Sequence, residues 1–252
     1  MSNSPLVNYT KISPNKTSPR NHKIDTISIH CAVGQFTAKE LLNLNHFVKH
    51  DPVKGSSCNY AIGKDGSVGM GVEEKDRSWC TSNRSNDHRA ITIEVASDKK
   101  PPYKVTDEAY NKLIELLTDI CKRNNIKELK WKADKTLIGK VDEQNMTVHR
   151  WFANKDCPGE YLYERHGQIA KEVNKRLKPK NGSAFKPYKV KVDITDLNIR
   201  KGPGTNYGKT GKCTGTGTFS IVKESKGKGS KKGWGKLKSG AGWISLDFVK
   251  KI

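Results

Sequence analysis

The chain has 252 residues, of which 34% are hydrophobic, and its 47 Lys and Arg against 26 Asp and Glu give a formal net charge of +21. This length suits one large or two modest folded domains, and five Trp argue against a disordered protein. No apolar run approaches the ~18 residues of a transmembrane helix and no secretory signal is apparent, so we expect synthesis in the cytosol or expression without a leader.

The first predicted elements are a strand and a helix. Residues 24–32 (IDTISIHCA) are predicted to form a buried strand, with Ser28 and His30 on the face opposite the isoleucines. Thr37 begins a capping box, which predicts a helix that continues to about Val48.

Strands and longer helices follow in the rest of this region. An Asp-Gly turn in residues 58–72 predicts a β-hairpin. Alternation in residues 91–96 (ITIEVA) predicts a strand whose Glu94 faces away from the apolar side chains. Helical spacing predicts helices over residues 106–125 and about 161–177. Strands followed by long helices favour an α/β or α+β fold.

The composition changes after about Leu177. Residues 179–187, rich in Pro, Gly, Ser and Lys, are predicted to be a linker between domains at 1–178 and 188–252. The second domain shows short strands and Gly-rich turns, which predict a small all-β barrel. Residues 226–233 (KGKGSKKG) are predicted to be its solvated hairpin loop.

One group of side chains suggests metal chemistry. His149 and Cys157 are separated by seven residues, and His30 ends the first strand. Two imidazoles and a thiolate are good zinc ligands, and three protein ligands leave a fourth position open for water, as in zinc hydrolases. Spacing alone leaves open surface histidines and a packed cysteine. The six cysteines are too irregularly spaced for a disulfide scaffold, so reduced thiols are expected.

The segment ISIHCA, the hairpin SCNYAIGKDG and the H-x7-C-P sequence ending at Pro158 occur in an order that resembles a known family. Most of residues 22–178 is similar to the zinc-dependent N-acetylmuramoyl-L-alanine amidases of the phage T7 lysozyme and peptidoglycan-recognition-protein type. The resemblance implies an α/β catalytic domain with a mixed central sheet flanked by helices. It also implies Zn²⁺ as cofactor and hydrolysis of the amide between N-acetylmuramic acid and L-alanine.

A second resemblance lies downstream. LNIRKGPGTNY at residues 197–207 and GWISLDFV at 242–249 resemble a bacterial SH3 (SH3b) domain, which implies an SH3-like barrel that binds the cell wall. An amidase followed by an SH3b domain resembles a phage endolysin of a Gram-positive host. Such an enzyme would be made in the host cytoplasm and reach the wall after holin-mediated release.

The amidase resemblance assigns roles to individual residues. It implies that His30, His149 and Cys157 hold zinc, that Glu94 is the catalytic base and that Lys155 stabilises the oxyanion. The competing interpretations are a solvent-facing glutamate and a solvated loop lysine.

The sequence departs from the family at two positions. A family tyrosine and histidine align with Cys58 and Asn59, so the phenol is either missing or supplied by Tyr60. Tyr60 and Trp79 are predicted to contact substrate, with a core role for Trp79 as the alternative.

Three aromatic residues of the second domain are predicted to contact the wall. They are Tyr207, Trp234 and Trp243, and the two tryptophans are equally suited to the barrel core. The peptide type, the ligand of this domain and the oligomeric state stay open.

Three other functions compete with the endolysin prediction. A non-catalytic peptidoglycan-recognition protein usually lacks the cysteine ligand, which this chain keeps at Cys157. A host autolysin would share the chemistry but carry a signal peptide. The charge of +21 suggests nucleic acid or an anionic surface, but no nucleic-acid-binding motif is present. We therefore expect peptidoglycan, with anionic wall polymers as a further partner, and neither nucleic acid nor membrane insertion.

Overall fold

The structure is a computed structural model that describes residues 2–178 and 185–252. Its contacts divide the chain into two compact units, Met1–Pro179 and Lys180–Ile252. Residues 179–184 of the predicted linker lie outside the described residues.

The N-terminal unit is built on a mixed sheet of six strands. These are β1 (Tyr9–Thr10), β3 (Thr26–Cys31), β4 (Tyr60–Ile62), β5 (Val68–Met70), β7 (Ala90–Val95) and β8 (Met146–Thr147). Their order is β1-β5-β4-β7-β3-β8, in which β4 and β5 are antiparallel and the other neighbours are parallel. A separate two-stranded sheet joins β2 (Lys16–Thr17) and β6 (Arg77–Ser78).

Five α-helices accompany the sheet: α1 (Ala38–Leu42), α2 (Asn45–Val48), α3 (Arg84–Arg89), α4 (Asp107–Arg123) and α5 (Gly159–Leu177). Short 3₁₀ helices occur at Lys135–Leu137 and His149–Trp151. The apolar stripes of α4 and α5 bury the isoleucines of β3 and β7 in one core. A smaller cluster around α1, containing Leu41, Cys58 and Ala61, lies apart from that core. The mixed α/β architecture predicted from the sequence is confirmed.

Most of the predicted elements are confirmed. The hairpin turns at Gly66, whose φ of 75° suits glycine, and Thr106 caps α4 by accepting from the Ala109 N–H. The last helix begins at Gly159, two residues before the predicted start.

The prediction of one helix from Thr37 to Val48 was wrong. The capping box at Thr37 is present, but α1 ends at Leu42 and α2 is a separate turn. The Asn43 carboxamide donates to the Lys39 carbonyl oxygen at 2.7 Å and to the Tyr9 hydroxyl at 2.9 Å. These bonds hold Asn43 as the C-cap, because a short polar side chain can satisfy the open helix end. Phe47, rather than Val48, is then buried.

The C-terminal unit is all β. Its strands are β9 (Tyr188–Val192), β10 (Asn198–Arg200), β11 (Lys209–Cys213), β12 (Gly217–Ser225), β13 (Trp234–Leu237), β14 (Trp243–Ser245) and β15 (Lys250–Lys251). They form one sheet in the order β11-β10-β14-β13-β12-β9-β15 around a core that includes Val190, Ile221 and Ile244. The hairpin loop at 226–233 is confirmed. Within residues 185–252 no pairing joins β11 to β15, so the predicted closed barrel is not shown.

All six cysteines are free, in agreement with reduced thiols. Within the described residues, none of the helices combines the length and apolar character needed to cross a membrane.

Candidate active site

His30 and Glu94 occupy neighbouring positions on the sheet. They are register partners on the parallel strands β3 and β7, and strand alternation turns both away from the core that holds Ile29 and Ile93. His30 Nδ1 lies 3.9 Å from Glu94 Oε1. The imidazole is fully buried and the carboxylate keeps 15% of its side chain exposed. The strand pairing therefore places a basic nitrogen and a carboxylate side by side on one face of the sheet.

His149 and Cys157 reach the same point from a short loop. His149 lies in the 3₁₀ helix that follows β8, and the loop closes when the Arg150 N–H donates to the Cys157 carbonyl oxygen at 3.1 Å. Cys157 Sγ is 3.3 Å from His30 Nδ1, and the centroids of the His30 and His149 rings are 5.2 Å apart. One donor atom from each of His30, His149 and Cys157 lies within 4.8 Å of the others.

Two serines fix the orientation of the imidazoles. Ser28 Oγ donates to the Thr147 carbonyl oxygen and lies 3.3 Å from His30 Nε2, so its lone pair accepts the Nε2–H. Ser82 Oγ lies 3.0 Å from Nε2 of His149. In each ring Nδ1 is then the nitrogen left for a ligand. Ser82 has a φ of 60°, which is uncommon for a residue with a Cβ and is often found at functional sites.

The donor set fits a zinc ion. Ligands at tetrahedral positions around zinc lie about 3.5 Å apart, close to the 3.3 Å between Cys157 Sγ and His30 Nδ1. Burial lowers the pKa of His30 well below its usual value, so the ring is neutral, as a metal ligand must be. Burial also raises the pKa of Cys157, followed by the neighbouring Cys31 thiol and the Glu94 charge, and a bound cation would favour its thiolate.

Glu94 has few partners of its own. Its Oε1 accepts from the Cys80 thiol at 3.8 Å, whereas Oε2 is buried with no hydrogen-bond partner among the described residues. Burial, followed by the charge of Cys31, raises the pKa of Glu94 well above its usual value. A carboxyl group in this state can both accept and hold a proton.

A cleft of about 580 Å³ opens beside His149. Trp79 and Lys155 both line it, so the structure brings these two predicted residues to the same cleft as His149. Lys155 is exposed, and its charge lowers the pKa of His149 after the larger effect of burial. Trp79 is half-buried, with its indole N–H donating to Thr17 Oγ1 at 3.1 Å. Its ring is thus held in the cleft wall.

Tyr60 lies elsewhere. It is the register partner of Ile93, so it faces the core on the side of the sheet opposite Glu94. Its hydroxyl donates to Glu74 Oε1 at 2.7 Å and accepts from the Ser4 N–H at 2.9 Å. The structure therefore separates Tyr60 from the cleft, and its phenol is engaged in the core.

Cys58 and Asn59, the two positions at which the sequence departs from the family, are also buried. Cys58 is fully buried beside α1, as expected for packing. The Asn59 carboxamide donates to the Val72 carbonyl oxygen and accepts from the Thr92 N–H. Both residues therefore hold the sheet together.

The predicted wall-binding aromatics differ in exposure. Tyr207 is 44% exposed, Trp243 is half-buried and Trp234 is only 3% exposed. Trp234 nevertheless lines a cavity of about 240 Å³ in the C-terminal unit together with Phe248, which is 57% exposed and was not predicted.

Sequence reasoning also missed the roles of Ser28 and Ser82. Ser28 carried a usable signal, because a residue two positions before His30 on a strand shares its face. Ser82 carried none, since only the folded cleft brings it to His149.

Several solved structures are similar to the N-terminal part of this chain. PlyL aligns at 17% identity over 66% of this chain and 95% of its own, with a TM-score of 0.48. The endolysin amidase LysCS from Clostridium intestinale URNW aligns at 17% identity over 69% and 99%, with a TM-score of 0.45. An AmpD derivative aligns at 18% identity over 66% and 96%, with a TM-score of 0.47. None of the curated proteins compared matches the chain.

The family comparison gives the clearer result. Residues 20–160 match the model of the family described as N-acetylmuramoyl-L-alanine amidase (Amidase_2). This match spans more than half of the chain and contains every residue of the site described above. The protein therefore belongs to the N-acetylmuramoyl-L-alanine amidase family.

Proposed function

We propose that this protein is a zinc-dependent peptidoglycan hydrolase that cleaves the amide between N-acetylmuramic acid and L-alanine. The observation that supports it most directly is the approach of one donor atom each from His30, His149 and Cys157 to within 4.8 Å. Zinc bound to these residues would supply a Lewis acid that activates water and polarises the scissile carbonyl. Ser28 accepts the Nε2–H of His30, which leaves Nδ1 of that ring free to bind the metal, and Ser82 contacts Nε2 of His149.

Glu94 is the proposed general base. Its carboxylate lies beside His30, and its Oε2 has no hydrogen-bond partner among the described residues. It takes the proton of the attacking water and then donates it to the leaving amine, which needs a proton because an amide anion is a poor leaving group. Its raised pKa suits the second step, since the protonated carboxyl persists until the amine departs.

Lys155 is the proposed oxyanion partner. The charge that forms on the carbonyl oxygen during attack is stabilised by a cation fixed nearby. Lys155 lines the cleft with His149 and influences its pKa, so an ammonium group is available at the metal-binding end.

The C-terminal unit is the proposed wall-binding module of SH3-like type. From Ala184 to Ile252 the chain has 16 Lys and Arg against four Asp and Glu. This excess favours binding to a wall rich in anionic polymers. With the amidase unit before it, this arrangement suits a phage endolysin that is made in the host cytoplasm and acts on a Gram-positive wall after holin-mediated release.

The test is mass spectrometry of purified Gram-positive peptidoglycan digested with the wild type, Cys157→Ser and Glu94→Gln. We expect release of intact stem peptides with a free L-alanine amino group, lost in both variants. Cys213→Ser and Glu115→Gln are matched controls, because both residues are exposed and outside the site.

Two results would contradict the proposal. Cleavage at a sugar or interpeptide bond would mean that the enzyme hydrolyses a bond other than the one proposed. Zinc binding with no cleavage of any wall would make the protein a recognition protein instead.

A further inference from the structure

His88 is a buried histidine with one ring nitrogen that has no partner. It lies on α3 and is 5% exposed. The Asn21 N–H donates to its Nδ1 at 3.0 Å, so Nδ1 is the acceptor of the ring and Nε2 carries the proton. Nε2 is buried and has no hydrogen-bond partner among the described residues. A buried donor of this kind is unfavourable unless an acceptor fills the space beside it.

The surroundings of His88 keep its ring neutral. Burial lowers the pKa of His88, followed by the positive charges of Arg77 and Arg84. Near pH 7 the imidazole is therefore uncharged, with Nε2–H as its one donor. The same positive charges that oppose protonation of the ring would attract an anion to it.

A cavity of about 380 Å³ lies beside this ring. Polar and basic side chains line it: Asn21, His22, Arg84, Ser85, His88 and Arg89. Among the described residues, no carboxylate and no apolar side chain contributes to this lining. A space bounded in this way suits a small polar anion and offers little to an apolar ligand.

The two arginines of the cavity differ in what they already bind. Arg89 donates through Nε and Nη2 to the Asp25 carboxylate at 3.0 and 2.7 Å, so these two charges neutralise each other. Arg84 is exposed and, in the part of the chain that the structure describes, has no ion pair. Arg84 therefore supplies the guanidinium that is available to an anion in this cavity.

The other carboxylate near His88 lies outside the cavity. Asp87 lines the larger cleft of about 580 Å³ instead. Its carboxylate accepts from the Cys80 and Thr81 N–H groups and from the Thr81 hydroxyl, and its charge acts on Arg77. The negative charge of Asp87 is thus engaged with these groups on the side of the larger cleft.

Arg84 also connects the cavity with the cleft that holds His149. It lines both spaces, so a group bound in the cavity can belong to the same polymer as an amide bound in the cleft. In Gram-positive walls the anionic polymers include chains of phosphodiesters bonded to the sugar that carries the stem peptide. A phosphate group is therefore present close to the bond that the proposed amidase cleaves.

We propose that Arg84 and His88, together with the Ser85 hydroxyl, bind a phosphate group of an anionic wall polymer beside the substrate cleft. This inference rests on the proposed amidase function and adds a wall contact on the N-terminal unit. The guanidinium can pair with the two charged oxygens of a phosphodiester, whose remaining lone pairs accept from the imidazole N–H and the hydroxyl. The single negative charge of a phosphodiester matches the one available arginine.

The first test follows the imidazole signals of His88 by NMR in the full-length protein. His88→Asn assigns these signals and keeps an acceptor for the Asn21 N–H, because the Asn oxygen takes the place of Nδ1. The probes are inorganic phosphate, a glycerol phosphate oligomer, a glutamate oligomer of equal charge and a single-stranded oligonucleotide. We expect the glycerol phosphate oligomer to shift the Nε2 signal of His88 in a saturable manner and to bind more tightly than the other probes.

Variants then assign the binding to residues. Arg84→Gln should raise the Kd of the glycerol phosphate oligomer, measured at His88, by about tenfold or more, because charge-assisted hydrogen bonds are lost. Arg84 is exposed, so this variant retains the fold. Arg176→Gln, at an exposed position on α5, is the charge-matched control and should leave the Kd unchanged.

A second measurement uses walls. The rate of hydrolysis is compared between walls that carry phosphodiester polymers and the same walls stripped of them with hydrofluoric acid. The preference of the wild type for the unstripped walls should fall in Arg84→Gln and His88→Asn and persist in Arg176→Gln. An equal preference in all four proteins would overturn the proposal.

Other outcomes would also overturn it. If the glycerol phosphate oligomer does not shift the signal of His88, the site is absent. An equal or stronger response to the glutamate oligomer, the oligonucleotide or free phosphate would assign the cavity to anions other than the wall polymer. The signals of His88 do not depend on catalysis, so a wild type that binds the oligomer but cleaves no wall would reject the amidase function alone.

Discussion

Glu94 Oε1 lies 3.9 Å from His30 Nδ1 because the two residues are register partners on adjacent parallel strands. The same imidazole nitrogen lies 3.3 Å from Cys157 Sγ. The proposed base and the first proposed metal ligand are thus held by the backbone hydrogen bonds of one sheet, whereas His149 and Cys157 reach them from the segment that follows β8.

The first prediction concerns the base. Glu94→Gln should lower kcat by about a hundred- to ten-thousandfold while the protein still binds zinc, because the amide keeps the shape but cannot accept a proton. Single-turnover kinetics and the zinc content of the purified variant provide the measurement. Glu115→Gln should behave as wild type. A kcat within threefold of wild type would rule out Glu94 as the base.

Ser28→Ala should weaken zinc binding by about ten- to a hundredfold, because His30 loses the acceptor that fixes its Nε2–H. Competition with a chromogenic chelator measures this without any substrate. Ser85→Ala, at an exposed position on α3, is the matched control. Unchanged affinity in Ser28→Ala would mean that the strand alone orients the ring.

The variant Tyr60→Phe distinguishes a structural role of the Tyr60 hydroxyl in the core from a role in catalysis. Removing the hydroxyl leaves Glu74 Oε1 and the Ser4 N–H without this partner, so the free energy of unfolding should fall by about 1–3 kcal/mol. The kcat should stay at the wild-type value, since Tyr60 faces away from the cleft. Urea unfolding and peptide-release kinetics measure the two quantities. A lower kcat at unchanged stability would restore a catalytic role to the phenol.

His166 should make stability depend on pH. It is fully buried, and burial lowers its pKa from 6.5 to about 4. Between these values the unfolded chain binds more protons, so stability is complete above pH 6.5 and is lost as the pH falls toward 4. Between pH 7 and pH 5 the loss should be on the order of 2 kcal/mol.

His166→Phe should remove this component, since the ring position against Trp131 accepts an aromatic side chain. The free energies of unfolding are compared by urea unfolding with a chelator present, so that metal release does not contribute to their pH dependence. His50→Gln, at an exposed histidine, is the control. Parallel pH profiles for wild type and His166→Phe would contradict the prediction.

Residues 1–178 alone should keep their kcat on soluble muramoyl peptides but bind purified walls less tightly, because the C-terminal unit no longer raises the effective concentration. Wall sedimentation at physiological salt compares the two proteins. Equal binding would show that the C-terminal unit does not target the enzyme.

Local chemistry explains which features the sequence could predict. The alternation around His30 and Glu94 predicted both strands and the face each side chain takes, because a period of two is independent of the partner strand. The capping box at Thr37 predicted where α1 begins. Its end at Leu42 depends on Asn43 meeting the Tyr9 hydroxyl, a contact between residues 34 positions apart.

The cleft likewise contains some residues that could be predicted from the sequence and others that only the fold brings together. Trp79 and Lys155 could be placed beside His149 only by resemblance, and Ser82 was not anticipated because only the folded cleft brings it to His149. β11 (KTGKC) was missed because its side chains are mostly exposed and show no apolar alternation.

The proposed metal ligands His30 and Cys157 are separated by 127 positions in the chain. Bringing such distant residues together carries the entropic cost of closing a long loop. During synthesis, a ribosome-bound chain that has not yet extended past Cys157 holds an incomplete donor set. The proposed zinc-dependent activity therefore requires that almost the whole N-terminal unit has been translated.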